Sequence, residues 1–177
     1  MVIKSIKSEY LRYKTHADSA ISQIDDKVLY QIFGEEGNSI AIIMNHLSGN
    51  LISRFTDFLT SDGEKPWRHR DKEFEEIEVS RDDLIRRWNQ AWSVLWGQLE
   101  NLNNDQLQSE VIIRGKPQTV MEALHRSLAH YSYHVGQIVF IAKYNLGKKW
   151  RSLSIPRGKS EIYNANPDKE KSKLDSE

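Results

Sequence analysis

The chain has 177 residues, with 25 Lys and Arg balanced by 25 Asp and Glu and no cysteine at all. That length suits one domain able to bury roughly 70% of the surface its unfolded chain exposes. Without cysteine there is no disulfide, no thiolate nucleophile and no Cys-containing metal site, a composition that fits the cytoplasm. Zero net charge gives no global pull toward nucleic acid or an anionic membrane. No apolar run reaches the ~20 residues of a membrane span, and the opening MVIKSIKSEYLRYK lacks a signal-peptide core.

Four helical stretches follow one another along the chain. The first runs from about Val2 to Ile24, where Ile3, Ile6, Tyr10, Tyr13, Ala17, Ala20 and Ile24 recur at steps of three and four. A connection from Asp25 to Asn38 is closed by Gly34 and Gly37. Asn38 or Ser39 can cap a second helix from Ile40 to about Leu59, striped by Ile40, Ile43, Met44, Leu47, Leu51, Phe55 and Phe58. Residues 60–79 read as a long polar loop, opened by Asp62-Gly63 and stiffened by Pro66. Ser80 caps a third helix through about Leu102, and three of the five tryptophans lie on it. The stretch Glu110 to Gly115 alternates weakly, enough for a short extended piece. Thr119 and Glu122 form a capping box for the fourth helix, which Gly147 stops. Its apolar arc is wide enough to touch more than one neighbour. These stripes predict an all-α single domain, an up-and-down-like four-helix bundle over residues 1–158 with the second and fourth helices facing each other across the site, although the long 60–79 connection also allows a crossover. Residues 159–177 are expected to form a polar, flexible tail.

Six histidines carry the chemical options. His130 and His134, in HYSYH, stand one helical turn apart at the margin of the buried arc, so both imidazoles can reach one ion at roughly 2.1 Å. The spacing alone fits two polar edge residues equally well. His46 flanks the stripe of the second helix. With it, two helices would present three nitrogens and leave coordination positions open, as catalytic zinc sites do. Glu122-Ala-Leu-His125 matches one half of a di-iron motif, but the second copy is missing, Glu122 is already a cap, and His125 projects off the buried face. His16 and His69 read as surface residues. Arg68, Arg70 and Lys72 form a basic cluster that reads as a solvated loop or, less readily, as a grip for an anionic substrate. Trp67 reads as a packing anchor. No nucleophile elbow or Walker A sequence occurs.

The stretches IAIIMNHLSGNLISRF and LAHYSYHVGQIVF, with WRHRDKEF between them and LSIPRG at the end, resemble the DinB/YfiT-like superfamily of metalloenzymes over roughly residues 5–158. The resemblance implies a four-helix bundle, usually dimeric, with a divalent metal on three histidines. Carried over residue by residue, the ligands fall on His46, His130 and His134. It also implies a small-molecule substrate, with a low-molecular-weight thiol as one candidate. Thiol-S-transfer and hydrolysis both fit, and so does a non-catalytic bundle that binds a metal or ligand. Zinc or nickel is the expected ion. Asn50, Tyr133 and Gln137 are candidate supporting contacts, and no general base stands beside the His pair in sequence. Metal affinity is expected to fall as pH drops through about 6.5, the ordinary imidazole pKa. A homodimer is expected, with Trp88, Trp92 and Trp96 as surplus surface for it.

Overall fold

Three of the four long helices begin where their capping residues indicate, at Ser39, Ser80 and Thr119. In the computed structural model, which describes residues 2–166, α1 spans Val2–Ile21. It ends before Ile24, although Ile24 still packs into the core. The following connection holds a short helix, α2 (Asp26–Tyr30), whose cap Asp25 accepts a hydrogen bond from the Val28 amide. Ser39 Oγ accepts from the Ile42 amide and starts α3 (Ile40–Phe55). This helix stops short of Leu59, and Asp57 beyond it takes a left-handed φ of 50°. A single 3₁₀ turn, Asp71–Phe74, interrupts the long loop. Ser80 caps α4 (Arg81–Asn101), with Asp82 and Asp83 near the positive end of its dipole.

The weakly alternating stretch is half of a hairpin. Strand β1 (Glu110–Ile113) pairs antiparallel with β2 (Lys116–Thr119). Arg114 and Gly115 make the turn with φ of 56° and 66°, the two positive values a two-residue turn of this hand requires. Asp62 in the long loop accepts hydrogen bonds from both of their amides, at 2.8 and 2.7 Å. The Thr119–Glu122 capping box then opens α5 (Val120–Leu146), which ends at Gly147 with φ 51°. A further short helix, α6 (Ser160–Asn164), lies in the segment expected to be flexible, and the rest of that expectation, residues 167–177, falls outside the described residues.

The pairings set the topology. Lys7–Glu100, Lys14–Asn89 and Asp18–Trp88 run in opposite sequence order, so α1 and α4 are antiparallel. Arg81 at the start of α4 donates to the Ile21 and Ile24 carbonyls at the end of α1. Tyr30 of α2 donates to the Val79 carbonyl just before α4, so α3 and α4 start from the same end. Helix α5 runs beside α1, with Tyr10 bonded to Leu124 and Gln23 to Arg151. The long helices therefore run up, down, down, up, not in the expected up-and-down order, because the long loop after α3 carries the chain back along the bundle. Its main packed pairs are α1 with α5 and α3 with α4, while α3 and α5 meet along a looser seam.

The core is aromatic where α1, α4 and α5 meet. Tyr10, Trp88, Trp92 and Tyr131 are fully buried and pack ring on ring. Trp88 and Trp92 are therefore not surplus surface, and Trp96 stacks on Trp92 at 5.4 Å. The exposed aromatic row lies on α5 instead, at Tyr133, Phe140 and Tyr144. No helix among the described residues is long and apolar enough to cross a membrane.

Candidate metal centre

Helices α3 and α5 bring His46, His130 and His134 together at their seam. One ring nitrogen from each lies within 4.8 Å of the other two, and His46 Nε2 approaches His130 Nε2 to 3.2 Å. Nitrogens sharing one tetrahedral ion at roughly 2.1 Å stand about 3.4 Å apart, so the cluster fits a cation after small adjustments. His46 is buried, and the other two are half-buried at the wall of a cavity.

Two of the three imidazoles are held from behind, each by a different device. His46 Nδ1 donates to Glu73 Oε2 at 2.9 Å, which turns the Nε2 lone pair toward the other histidines. Glu73 comes from the 3₁₀ turn of the long loop and is itself clamped by Arg68, whose Nε and Nη2 donate to its two oxygens at 2.8 Å each. Burial works to raise the Glu73 pKa, but the hydrogen bonds from Arg68 and His46 outweigh it and hold the carboxyl below its usual range. Burial also opposes the charge on Arg68, and Glu73 overrides that as well. Phe74 lays its ring against His46 at 4.5 Å. His134 is held locally: its Nδ1 donates to Gln137 Oε1, three residues on, at 2.7 Å.

The approach of Glu73 depends on Gly49, one turn after His46. A Cβ at this position would collide with the Glu73 carboxylate. A helix-interior glycine costs about 1 kcal/mol relative to alanine, and here it opens the gap through which a loop carboxylate reaches a helix.

The electrostatics keep the free site ready for a cation. Burial first, and then the neighbouring His134, His46, Arg68 and Arg54, push the His130 pKa down to about 3. Burial also lowers His134, more than its bond to Gln137 raises it. Imidazoles bind metals only when neutral, so at His130 proton competition sets in well below the pH 6.5 expected from an unperturbed ring. Nothing in this donor set conflicts with a borderline cation that accepts imidazole.

The remaining sequence candidates divide. Asn50 lines the cavity and accepts from Tyr131 Oη at 2.8 Å, and Tyr133 accepts weakly from Gln137. His125 and His69 are exposed as expected, whereas His16 is half-buried. Trp67, expected as a packing anchor, is 52% exposed. Arg68 is not solvated but buried, while Arg70 and Lys72 remain exposed. Sequence reasoning missed Glu73 as a partner for the histidines. Its one available signal was membership of WRHRDKEF, where no spacing distinguishes it from Asp71.

The chain belongs to the family described as "Protein of unknown function (DUF1572)", whose model matches residues 1–159. No curated protein and no solved structure matches it.

Proposed function

We propose that this DUF1572 chain is a divalent-metal-dependent enzyme of the DinB/YfiT-like kind, a thiol-S-transferase or hydrolase acting on a small molecule. The observation that carries the reading is the convergence of His46, His130 and His134, with the outer nitrogens of two of them fixed by Glu73 and Gln137. Zinc or nickel suits three neutral imidazoles. Such an ion keeps its full double charge and supplies Lewis acidity toward a thiol or a water.

The chain's own residues orient and exclude. Glu73 and Arg68 fix the tautomer of His46, and Gln137 that of His134. Phe74 shields the His46 face from water. The adjoining cavity, about 470 Å³, falls in the range of small-molecule sites, and it favours catalysis over a closed structural metal site. The alternative is a dimeric bundle that holds a metal or ligand without turnover. Residues 1–158 are proposed as the working unit, as a homodimer. The support for self-association is the row of Tyr133, Phe140 and Tyr144, each at least 64% exposed. Sedimentation of a micromolar sample as a monomer would remove that part of the proposal.

Elemental analysis of tag-free protein tests the metal. The wild type should carry about one zinc or nickel per chain, and His46→Ala, His130→Ala and His134→Ala should each lose most of it while keeping helical circular dichroism. His125→Ala should leave the content unchanged. Loss in His125→Ala but not in His46→Ala would overturn the assignment. A thiol-conjugation screen of the metal-loaded protein then separates the enzyme from the non-catalytic alternative.

A further inference from the structure

The cavity beside the histidines is strongly cationic. Arg54, Arg68, Arg70, Arg114 and Arg126 line it, and no acidic side chain is among its lining residues. Three of these charges have counter-ions nearby: Arg68 has Glu73, Arg114 has Glu64 at 2.9 Å, and Arg70 has Asp71 loosely at 3.9 Å. Arg54 and Arg126 have no ion pair among the described residues.

Two of the guanidinium groups are also incomplete as donors. Arg54 Nη1 is buried and has no hydrogen-bond partner. Arg68 Nη1 is in the same position, on a side chain only 2% exposed, with Glu64 Oε2 beyond hydrogen-bond reach at 3.8 Å. Buried donors are almost always satisfied, and buried charges are almost always paired. Here a second cationic fork stands close enough to Arg54 to disfavour its charge. Arg54 is pulled below its ordinary pKa by burial and, beyond that, by Arg68. Both also act on His130, which places them within electrostatic reach of the histidines.

We propose that this cavity binds a small molecule through an oxyanion group, a carboxylate or a phosphate, held by Arg54 and the free edge of Arg68. The guanidinium fork matches either group, and removal from water strengthens the pairing. A nucleic-acid backbone is not the partner, because a side chain 2% exposed cannot meet a surface polyanion and the net charge is zero. The anion site itself does not need the metal. Only the placing of the substrate's reacting end beside His46, His130 and His134 rests on the metal-enzyme reading.

Calorimetric titration of the full chain, stripped of metal with a chelator and held at constant chloride ionic strength, tests the site with inorganic phosphate and with malonate. Removing the metal ensures that the arginines, not a cation, are read. At least one anion should bind at one per chain, and Arg54→Gln should weaken it at least tenfold. Phosphate binding alone identifies a phosphorylated substrate class, and malonate binding alone a carboxylate. If Arg54→Gln loses its helical circular dichroism, Arg54→Lys, which keeps the charge but not the fork, should show a smaller loss in the same direction. Binding of neither anion, or equal binding by the Arg54 variants, overturns the proposal. Zinc content, measured separately, decides the metal reading, so either can fail alone.

Discussion

Two regions of this bundle are built on opposite rules. Where α1, α4 and α5 meet, Tyr10, Trp88, Trp92 and Tyr131 fill the interior with rings 5.4–6.4 Å apart. Where α3 and α5 meet, imidazoles and guanidinium groups surround a cavity of about 470 Å³. A bundle selected for packing alone would close that seam with leucine. The filled side secures the helices, and the open side can then hold neutral imidazoles and unpaired donors at a cost the first side offsets. Tyr131 belongs to both: its ring packs in the core while its hydroxyl donates to Asn50 at the cavity wall.

The comparison breaks most visibly at Trp92. Trp92→Ala should cost about 3–5 kcal/mol in urea unfolding, as large core truncations do, while the folded fraction keeps its affinity for an added divalent cation. If the variant loses cation affinity with little loss of stability, the division between the two regions is wrong. Glu73→Gln comes next. Loss of a carboxylate behind a ligating histidine typically weakens metal affinity about 10–100-fold, and competition with a zinc chelator should show a drop of that order with helicity retained. Unchanged affinity would mean that the carboxylate does not orient His46.

A separate effect is in pH. The folded protein holds His130 neutral down to about 3, whereas an unfolded imidazole takes up a proton below about 6.5. The unfolded state therefore binds more protons in that window. The part of the metal-free protein's stability linked to His130 is fully present above pH 6.5 and is lost as pH falls from there toward 3. His130→Asn should lose stability less steeply over the same range. Parallel curves for the two proteins would show that burial of this imidazole carries no such linkage.

Helix starts were legible because capping is local. Ser39, Ser80 and the Thr119–Glu122 pair each bond within three residues, so the signal and its cause sit in one short window. His130 and His134 were legible for the same reason, since helical spacing alone places them side by side. The hairpin was half legible: β1 alternates, but β2 (Lys116–Thr119) is polar and contains Pro117. Glu73 was not legible, because its bond to His46 spans 27 residues and depends on how the long loop returns along α3. The tryptophans misled in the other direction. Spacing placed Trp88 and Trp96 too far apart for one narrow seam, but α1 and α5 pack against α4 together with Trp92 between them, and the ring stack absorbs the width.

Gly49 has a consequence for anyone who sets out to make this protein more robust. Replacing a helix-interior glycine with alanine is a standard stabilising change, and by that rule position 49 is an obvious target. The added methyl group would occupy the space now taken by the Glu73 carboxylate, so any gain in helix propensity would be set against displacement of that carboxylate from His46. A selection that scores only melting temperature can thus discard the support of His46 unnoticed. One that also scores metal retention should keep the glycine, making this position a single-atom marker of whether a variant library is improving the scaffold or dismantling its site.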